Sequence, residues 1–370
     1  MRIGISINTS WNIYNFREGL VKRIIAEGHE VFTIAPRDKY TDRLIDWGCQ
    51  PIDIPISATQ ANPFRELGLL LHFIRLIKKH NLEMLLTFTI KPNLYGTLAA
   101  RFCKIPVICN VSGLGTVFLT DDLKSKVARI LYNLVFRFAS VIFFQNKHDK
   151  ALFLQRFSIR EDQTNIIPGS GINLKKFEKL PYHPSDKITF LMISRVIREK
   201  GVKEYAEAAS VLLRQKKSIE CILIGKHELT HSRSISKKEL EKWQNEGMIY
   251  RDHTDDIISE IRKADVIVLP SYREGMSRTL LEAASSGRAL ITTDVPGCRE
   301  IVRDQVNGLL VEPKNSHDLL EKMEYFINLT SEEKVKYADE SRVIAEKYFD
   351  ESLVIEAYIR NIRRFDKIDA

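Results

Sequence analysis

DVIVLPSYREGMSRTLLEAASSGRALITTD, residues 265–294, reads as strand, loop, helix and strand in a single run. The apolar, β-branched DVIVLP stops at Pro270, the loop SYREGM carries Gly275, and a helical pattern starts near Ser277. Gly287 is placed to cap that helix before ALITTD begins. Strands that are apolar on both faces, separated by helices, are the repeating unit of a parallel sheet covered on two sides. The run also sets Glu274 in the loop at the carboxyl end of a strand, with Glu282 about two turns further on in the helix.

The same alternation extends in both directions. Upstream of KLPYHPSDK (179–187), strand-like runs occur at 2–8, 30–36, 83–89, 106–112 and 140–146, with helical patterns such as FREGLVKRIIAEG and NPFRELGLLLHFIRLIKKH between them. Downstream they recur at 187–194, 219–225, 265–270, 289–294 and 309–313. The two prolines and polar residues of KLPYHPSDK suit a linker, so the expectation is α/β architecture with two Rossmann-like domains, 1–180 and 181–350, facing across a cleft. The last helix, within 351–370, has enough apolar residues to dock, with the first domain as the candidate host. Ligands of open α/β sheets bind at the carboxyl ends of the strands.

Composition narrows the function. At 370 residues and 44% hydrophobic the chain supports two ordinary cores. Its five cysteines (Cys49, Cys103, Cys109, Cys221, Cys298) are scattered without a C-x-x-C pair, which indicates neither a disulfide framework nor a zinc ribbon and suits a reducing cytosol. No signal-peptide layout is present, and the longest apolar stretches are interrupted by Arg75 or Arg137, so no segment is expected to span a bilayer. The net charge of +8 is uneven: residues 1–180 hold 25 Lys+Arg against 15 Asp+Glu, and residues 181–370 hold 31 against 33. A +10 first half is consistent with plain surface charge, with a membrane face or with nucleic acid. Basic residues interleaved with exposed aromatics, or a recognised reading motif, would favour nucleic acid, and neither is present.

Chemistry concentrates at the strand ends of the second domain. Arg195 and Lys200 lie in the loop after its first strand, in ISRVIREKGVKEY. The helix that starts near Ser277 carries about half a positive charge at its N-terminus, with N–H groups of Ser277, Arg278, Thr279 and Leu280 near the end. Two cations opposite such a helix end would neutralise a diphosphate. Taken singly, each of these charges also fits a solvated surface residue.

The pattern P-S-x-x-E-G-x-x-x-x-x-L-E-A-x-x-x-G-x-A, running on to Gly297, with R-x-x-x-x-K-G at 195–201, resembles the nucleotide-sugar domain of the retaining GT-B glycosyltransferases, a family that includes bacterial polysaccharide transferases. In the first domain SWNIYNFREGLV, TFTIKPNLYG and NVSGLGTVF resemble members that act on undecaprenyl-diphosphate-linked sugars, such as N-acetylgalactosaminyltransferases. The resemblance implies that Arg195 and Lys200 hold the donor phosphates and Glu274 meets the donor sugar. It implies that the N–H groups from Ser277 to Leu280 meet the diphosphate, that Glu282 accepts from the ribose, and that Gly275 and Gly225 line the donor. Donor and acceptor would be a UDP-sugar, carrying an N-acetylhexosamine, and a polyprenyl-diphosphate-linked saccharide, on the cytoplasmic face of a membrane with anionic lipid. Acceptor-side candidates are Asn8, Ser10, Lys91, Asn110, Gly113 and Gly115.

Many relatives carry a histidine just after the strand that corresponds to PVICNVS, where this chain has Asn110, Val111 and Ser112. An acid–base role for that histidine therefore has no bearer here, and Lys91 or the donor phosphate stands as the acceptor's partner. No D-x-D occurs, which argues against a carboxylate-held divalent ion, and no cofactor is expected. HELTH (227–231) matches H-E-x-x-H but follows a strand directly and runs into polar SRSISKK, whereas zinc-protease chemistry needs a helix. The short clusters GLG (113–115) and GSG (169–171) lack the third glycine of a dinucleotide fingerprint. A nucleotide-sugar epimerase of the same architecture and a noncatalytic membrane- or polyanion-binding module are the competing functions. In the first domain LKSKVARILYNLVFRF suggests an interfacial helix with an apolar stripe of Leu123, Val127, Ile130, Leu131 and Leu134 among cations, or else a helix covering the sheet.

Overall fold

The computed structural model describes residues 1–56, 62–113, 123–182, 184, 187–215, 218–228, 233–254 and 256–366. The chain forms two compact units, residues 1–170 with 351–370, and residues 171–350.

The first unit runs β1 (Arg2–Ser6), α1 (Ser10–Phe16), α2 (Glu18–Ala26), β2 (Glu30–Ile34), α3 (Thr41–Asp46), β3 (Gln50–Ile52), α4 (Pro63–Lys79) and β4 (Met84–Phe88). A π-helical turn, Pro92–Gly96, leads into α5 (Thr97–Cys103), then β5 (Val107–Val111), α6 (Leu123–Phe136), β6 (Val141–Phe144), α7 (Lys147–Arg156) and β7 (Thr164–Ile166). All seven strands pair in parallel in the order β3-β2-β1-β4-β5-β6-β7. Alternation along each strand feeds two cores. Ile3, Ile5, Met84, Leu86 and Phe143 pack under α1 and α2, whereas Leu85, Cys109, Ile142 and Phe144 pack under α4, α5 and α6.

The second unit runs β8 (Ile188–Ile193), α8 (Val202–Gln215), β9 (Ile219–Ile224), α9 (Lys237–Asn245), β10 (Ile249–Arg251), α10 (Ile257–Lys263), β11 (Val266–Leu269), α11 (Arg278–Ser285), β12 (Ala289–Thr293), β13 (Gly308–Val311), α12 (Ser316–Ile327) and α13 (Ser331–Tyr348). Its parallel sheet has the order β10-β9-β8-β11-β12-β13 around a single core. The chain then ends in α14 (Glu351–Asp366), which returns to the first unit. Val354, Tyr358, Ile359 and Ile362 of α14 are buried beside α2, and Arg363 clamps Glu27 at 2.7–2.9 Å.

The division falls at 170/171 rather than at the 180/181 boundary that KLPYHPSDK suggests. That linker is fastened to the second unit. Phe177 and Leu180 are buried, and the guanidinium of Arg288, itself 1% exposed, donates to the carbonyls of Leu180 and Pro181 at 3.3 and 3.1 Å.

The helix α6 presents Tyr132, Val135 and Phe136 to the core, so the expected stripe splits. Leu131 is half-buried, while Ile130 and Leu134 are exposed. The side chains of Leu123, Lys124 and Val127 lie outside the described residues. On α4 the outward face carries Phe64, Leu67 and Leu71, which are 86%, 56% and 56% exposed. Among the described residues no helix is long and apolar enough to cross a membrane.

Candidate donor and acceptor sites

In each sheet the strand order reverses at one place, and ligands of open α/β sheets collect there. In the second unit that place is the seam between β8 and β11. The loop after β8 holds Arg195 and then a single 3-10 turn, Arg198–Lys200. Gly201 follows with φ +74°, and a Cβ there would overlap the Pro270 carbonyl. Only glycine lets this loop press so closely on the loop after β11. Gly225, after β9, meets the Ser194 carbonyl in the same way.

Across the seam, the Lys200 ammonium lies 2.5 Å from Oε1 of Glu274, both side chains being mostly buried (22% and 12% exposed). The hydroxyl of Ser271 donates to the same carboxylate oxygen at 2.8 Å. Three further bonds fix the loop. Thr293 Oγ1 donates to the Ser271 carbonyl, and Glu274 N–H donates to the Pro296 carbonyl. Tyr272 bridges back to the β8 side, its N–H donating to the Glu199 carbonyl and its hydroxyl to Glu204 at 2.6 Å. Arg195 is exposed at the rim. The pair is thus a cation and a carboxylate at one strand-end seam, one suited to a phosphate and the other to a hydroxyl.

Ser277 caps α11, its Oγ accepting from Leu280 N–H at 3.4 Å. Its own N–H donates to the Gly297 carbonyl at 2.9 Å. Of the four N–H groups expected to meet a diphosphate, those of Ser277 and Leu280 are therefore engaged in holding the helix end. Thr279 Oγ1 ties that end to the Ile193 carbonyl at the end of β8. Gly275 lies in the loop just before the cap. Glu282, one turn after Arg278, accepts from its Nε at 2.9 Å. Burial pushes the Glu282 carboxyl above its ordinary value, and Arg278 opposes that rise.

In the first unit the reversal lies between β1 and β4. Asn8 and Ser10 follow β1, and Lys91 follows β4, so three acceptor-side candidates share one seam. Two of the candidates are occupied in packing. Ser10 is 3% exposed and bonded to the Pro36 carbonyl and Thr41, and Asn110 is wholly buried. Asn110 donates to the Tyr358 hydroxyl at 3.0 Å, accepts from Gln145 at 3.3 Å, and its carbonyl accepts from Asn93 at 2.8 Å. Asn110 thus anchors α14 to β5. Gly113 follows β5 with φ +125°, and Gly115 lies outside the described residues.

Glu66, Thr89 and Ser271 stand at these seams without a local signal in the sequence. Glu66 on α4 holds the Lys91 ammonium at 2.5 Å, both side chains being mostly buried. Thr89 adopts φ +66°, an unfavourable conformation for a β-branched residue, three residues before the π-helical turn. Strained backbone at a strand end is where functional loops store their geometry. Ser271 was visible as the serine of P-S-x-x-E, but nothing local marks it as a partner of Glu274.

The stretch HELTH is not helical at its described start. Residues 226–228 are irregular, His227 Nε2 bonds to the Ile235 carbonyl at 2.7 Å, and Glu228 pairs with Lys226. Leu229 to His231 lie outside the described residues. Among the described residues no three His, Cys, Asp or Glu side chains converge as a metal site.

Two family descriptions cover the chain: "Glycosyl transferases group 1" matches residues 175–342 and "Glycosyl transferase 4-like" matches residues 3–146. An N,N'-diacetylbacillosaminyl-diphospho-undecaprenol alpha-1,3-N-acetylgalactosaminyltransferase of Campylobacter jejuni is 32% identical over 97% of this chain and 98% of its own length. A UDP-Gal:alpha-D-GlcNAc-diphosphoundecaprenol alpha-1,3-galactosyltransferase of Escherichia coli is 24% identical, over 70% of each chain. Among solved structures, HepE of Anabaena in complex with UDP-glucose superposes with a TM-score of 0.79 at 18% identity, covering 98% of this chain and 100% of its own. With two Rossmann-like units and a full-length relative of known class, the chain belongs to the group 1 glycosyltransferases of GT-B architecture.

Proposed function

We propose that this glycosyltransferase moves an N-acetylhexosamine from a UDP-sugar to a polyprenyl-diphosphate-linked saccharide, with retention of configuration and without a metal ion. The observation that carries the reading is the Lys200–Glu274 pair, 2.5 Å apart at the β8/β11 seam beside the N-terminus of α11. The two relatives described above are named for acceptors on undecaprenyl diphosphate, and HepE was solved with UDP-glucose. The Escherichia coli relative forms an alpha linkage from UDP-Gal, itself an α-linked donor, which amounts to net retention.

In this reading the C1–O bond to the donor diphosphate breaks as the acceptor oxygen bonds to C1. The acceptor's proton passes to the departing phosphate oxygen. That assignment suits a chain whose Asn110 is buried and whose Lys91 is paired with Glu66. Negative charge grows on the diphosphate, and Arg195, Lys200 and the remaining N–H groups of the first turn of α11 are the positive groups offered to it. Fixed groups of this kind lower the barrier without reorganising during the reaction. Glu274 then meets the sugar hydroxyls and Glu282 the ribose.

The acceptor's lipid calls for a peripheral seat on an anionic cytoplasmic membrane face. Supporting this, α4 and α6 cover the same side of the first sheet, and both carry outward apolar residues: Phe64, Leu67 and Leu71 on one, Ile130 and Leu134 on the other. Exposed cations lie among them, including Arg65, Arg75, Lys126 and Arg137.

The test is incubation with a panel of UDP-sugars and a polyprenyl-diphosphate-linked monosaccharide, read by mass spectrometry and by NMR of the new linkage. Lipid extended by one α-linked N-acetylhexosamine is the expected product. A free epimerised nucleotide sugar, or donor binding with no transfer to any lipid acceptor, would overturn the reading.

A further inference from the structure

We infer that Arg278 is a positioning residue with two jobs: it aims Glu282 at the donor nucleoside, and it ties the occupancy of that acid to the segment through which the chain passes from one unit to the other. The inference rests on the donor reading of Glu282.

One edge of the Arg278 guanidinium donates from Nε to Glu282 at 2.9 Å. Another nitrogen of the same group donates to the Gly171 carbonyl at 2.6 Å, and the planar group lies 5.7 Å from the Phe177 ring centroid. Gly171 is the first residue of the second unit. It ends the GSG cluster at 169–171, in which both glycines have positive φ, +63° and +66°. Those values suit glycine and few other residues. Next to it, Ile172 pairs with Asp350, the last residue before the chain crosses back. Arg278 therefore holds Gly171 at the first crossing with one nitrogen and the acid assigned to the ribose with another.

A rigid guanidinium fork can hold both partners only in one orientation. When a nucleoside diol donates hydrogen bonds to Glu282, the carboxylate shifts its share of bonding, and the fork carries that change to Gly171. A lysine has one ammonium on a flexible stem and can keep Glu282 without keeping the grip on Gly171.

The experiment uses the full chain with UDP as the probe, comparing wild type, Arg278→Met and Arg278→Lys. Calorimetry gives UDP affinity across pH, and hydrogen–deuterium exchange reads residues 168–174 with and without saturating UDP. Wild type should bind UDP and change its exchange at 168–174. Arg278→Met should weaken UDP by about tenfold, displace the pH profile of binding upward, and lose the exchange response even when saturated. Arg278→Lys should recover most of the affinity but not the exchange response. If Arg278→Met does not fold, the lysine variant alone decides the coupling. Unchanged UDP affinity with an unmoved pH profile in Arg278→Met, or an exchange response that survives in Arg278→Lys, would overturn the inference while leaving the donor reading standing. Wild type that binds no UDP would overturn both.

Discussion

Lys200 and Glu274 stand 74 positions apart in sequence, yet the Lys200 ammonium contacts the Glu274 carboxylate at 2.5 Å. Each side chain fixes the other, so on the proposed donor reading a phosphate and a sugar hydroxyl would enter a site whose charges are already placed. Replacing Lys200, Arg195 or Glu274 with alanine should each cut kcat/KM by about a hundredfold or more. The double variant Lys200→Ala with Glu274→Ala should lose less than the product of the single losses, because the two side chains act as a pair. Steady-state kinetics with melting curves as the fold control checks this. Near-normal turnover in folded Lys200→Ala and Arg195→Ala would remove both from the donor phosphates.

On the proposed donor reading, Glu282 would make nucleotide binding depend on pH. Its folded carboxyl is raised by burial above the ordinary value of 4.5, so the folded state holds that proton more tightly than the unfolded chain. The sign follows from linkage: this group's contribution to stability is full below the unfolded value and is lost as pH rises through the raised folded value. A ribose that needs the charged acceptor is favoured in the opposite sense. UDP affinity should therefore climb with pH through the range just above ordinary glutamates, and Glu282→Gln should flatten that climb. Titration calorimetry from about pH 5 to about pH 8 shows it. A wild-type profile as flat as that of the variant would remove Glu282 from nucleotide binding.

Much of the candidate donor site was legible because its signals are local. A strand, a glycine-bearing loop, a serine cap and a helix lie within one run of sequence, and the cations fall within seven residues after another strand. What escaped depends on distance or direction. Strands β3, β7 and β10 are three-residue edge strands that include polar positions, so they lack the apolar run that marked the central ones. Glu66 lies 25 positions before Lys91 and carries no motif that points to it. Asn110 sits at the right place in sequence for an acceptor contact, but a buried hydroxyl 248 positions away, on Tyr358, claims it. The direction of α6 was unreadable because an apolar stripe has the same spacing whether it faces core or solvent.

Arg288 should matter for stability more than for chemistry. It is buried, and its guanidinium donates to the carbonyls of Leu180, Pro181, Ile261, Arg262, Ser286 and Gly287, closing the ends of α10 and α11 over the linker. Arg288→Met strands several of those carbonyls, each costing about 1–3 kcal/mol when left buried without a donor. The expected result is a loss of about 3 kcal/mol or more in urea unfolding, with kcat per folded molecule little changed. An unfolding midpoint equal to wild type would show that water takes over these carbonyls.

Transfer should survive chelation, since the chain has no D-x-D to hold a divalent ion. EDTA-treated enzyme is expected to keep its rate. Loss of transfer on chelation with recovery on adding Mg²⁺ or Mn²⁺ would overturn the metal-free reading. UDP at about a hundred times its Kd should also stabilise the fold by about 2.7 kcal/mol, visible as a rise in melting temperature.

The last prediction separates a membrane seat from an ordinary covering layer. An apolar face turned to water costs solubility unless something covers it, and on the first unit that face combines Phe64, Leu67 and Leu71 on α4 with Ile130 and Leu134 on α6. Cations nearby add on the order of 1 kcal/mol each toward anionic lipid, an attraction that salt screens. Sedimentation with anionic and neutral liposomes at low and high salt should show wild type bound to anionic vesicles and released by salt. Lys124→Glu with Lys126→Glu tests the charge on α6, and Phe64→Glu with Leu71→Glu tests the apolar contact on α4. If the apolar contact is the seat, the α4 variant fails to bind even at low salt, whereas the α6 charge variant still binds at low salt and is released at a lower salt concentration than wild type. Wild type that ignores anionic vesicles, or an α4 variant that binds as well as wild type, would leave these residues as exposed surface and return the +10 first half to plain solubilising charge.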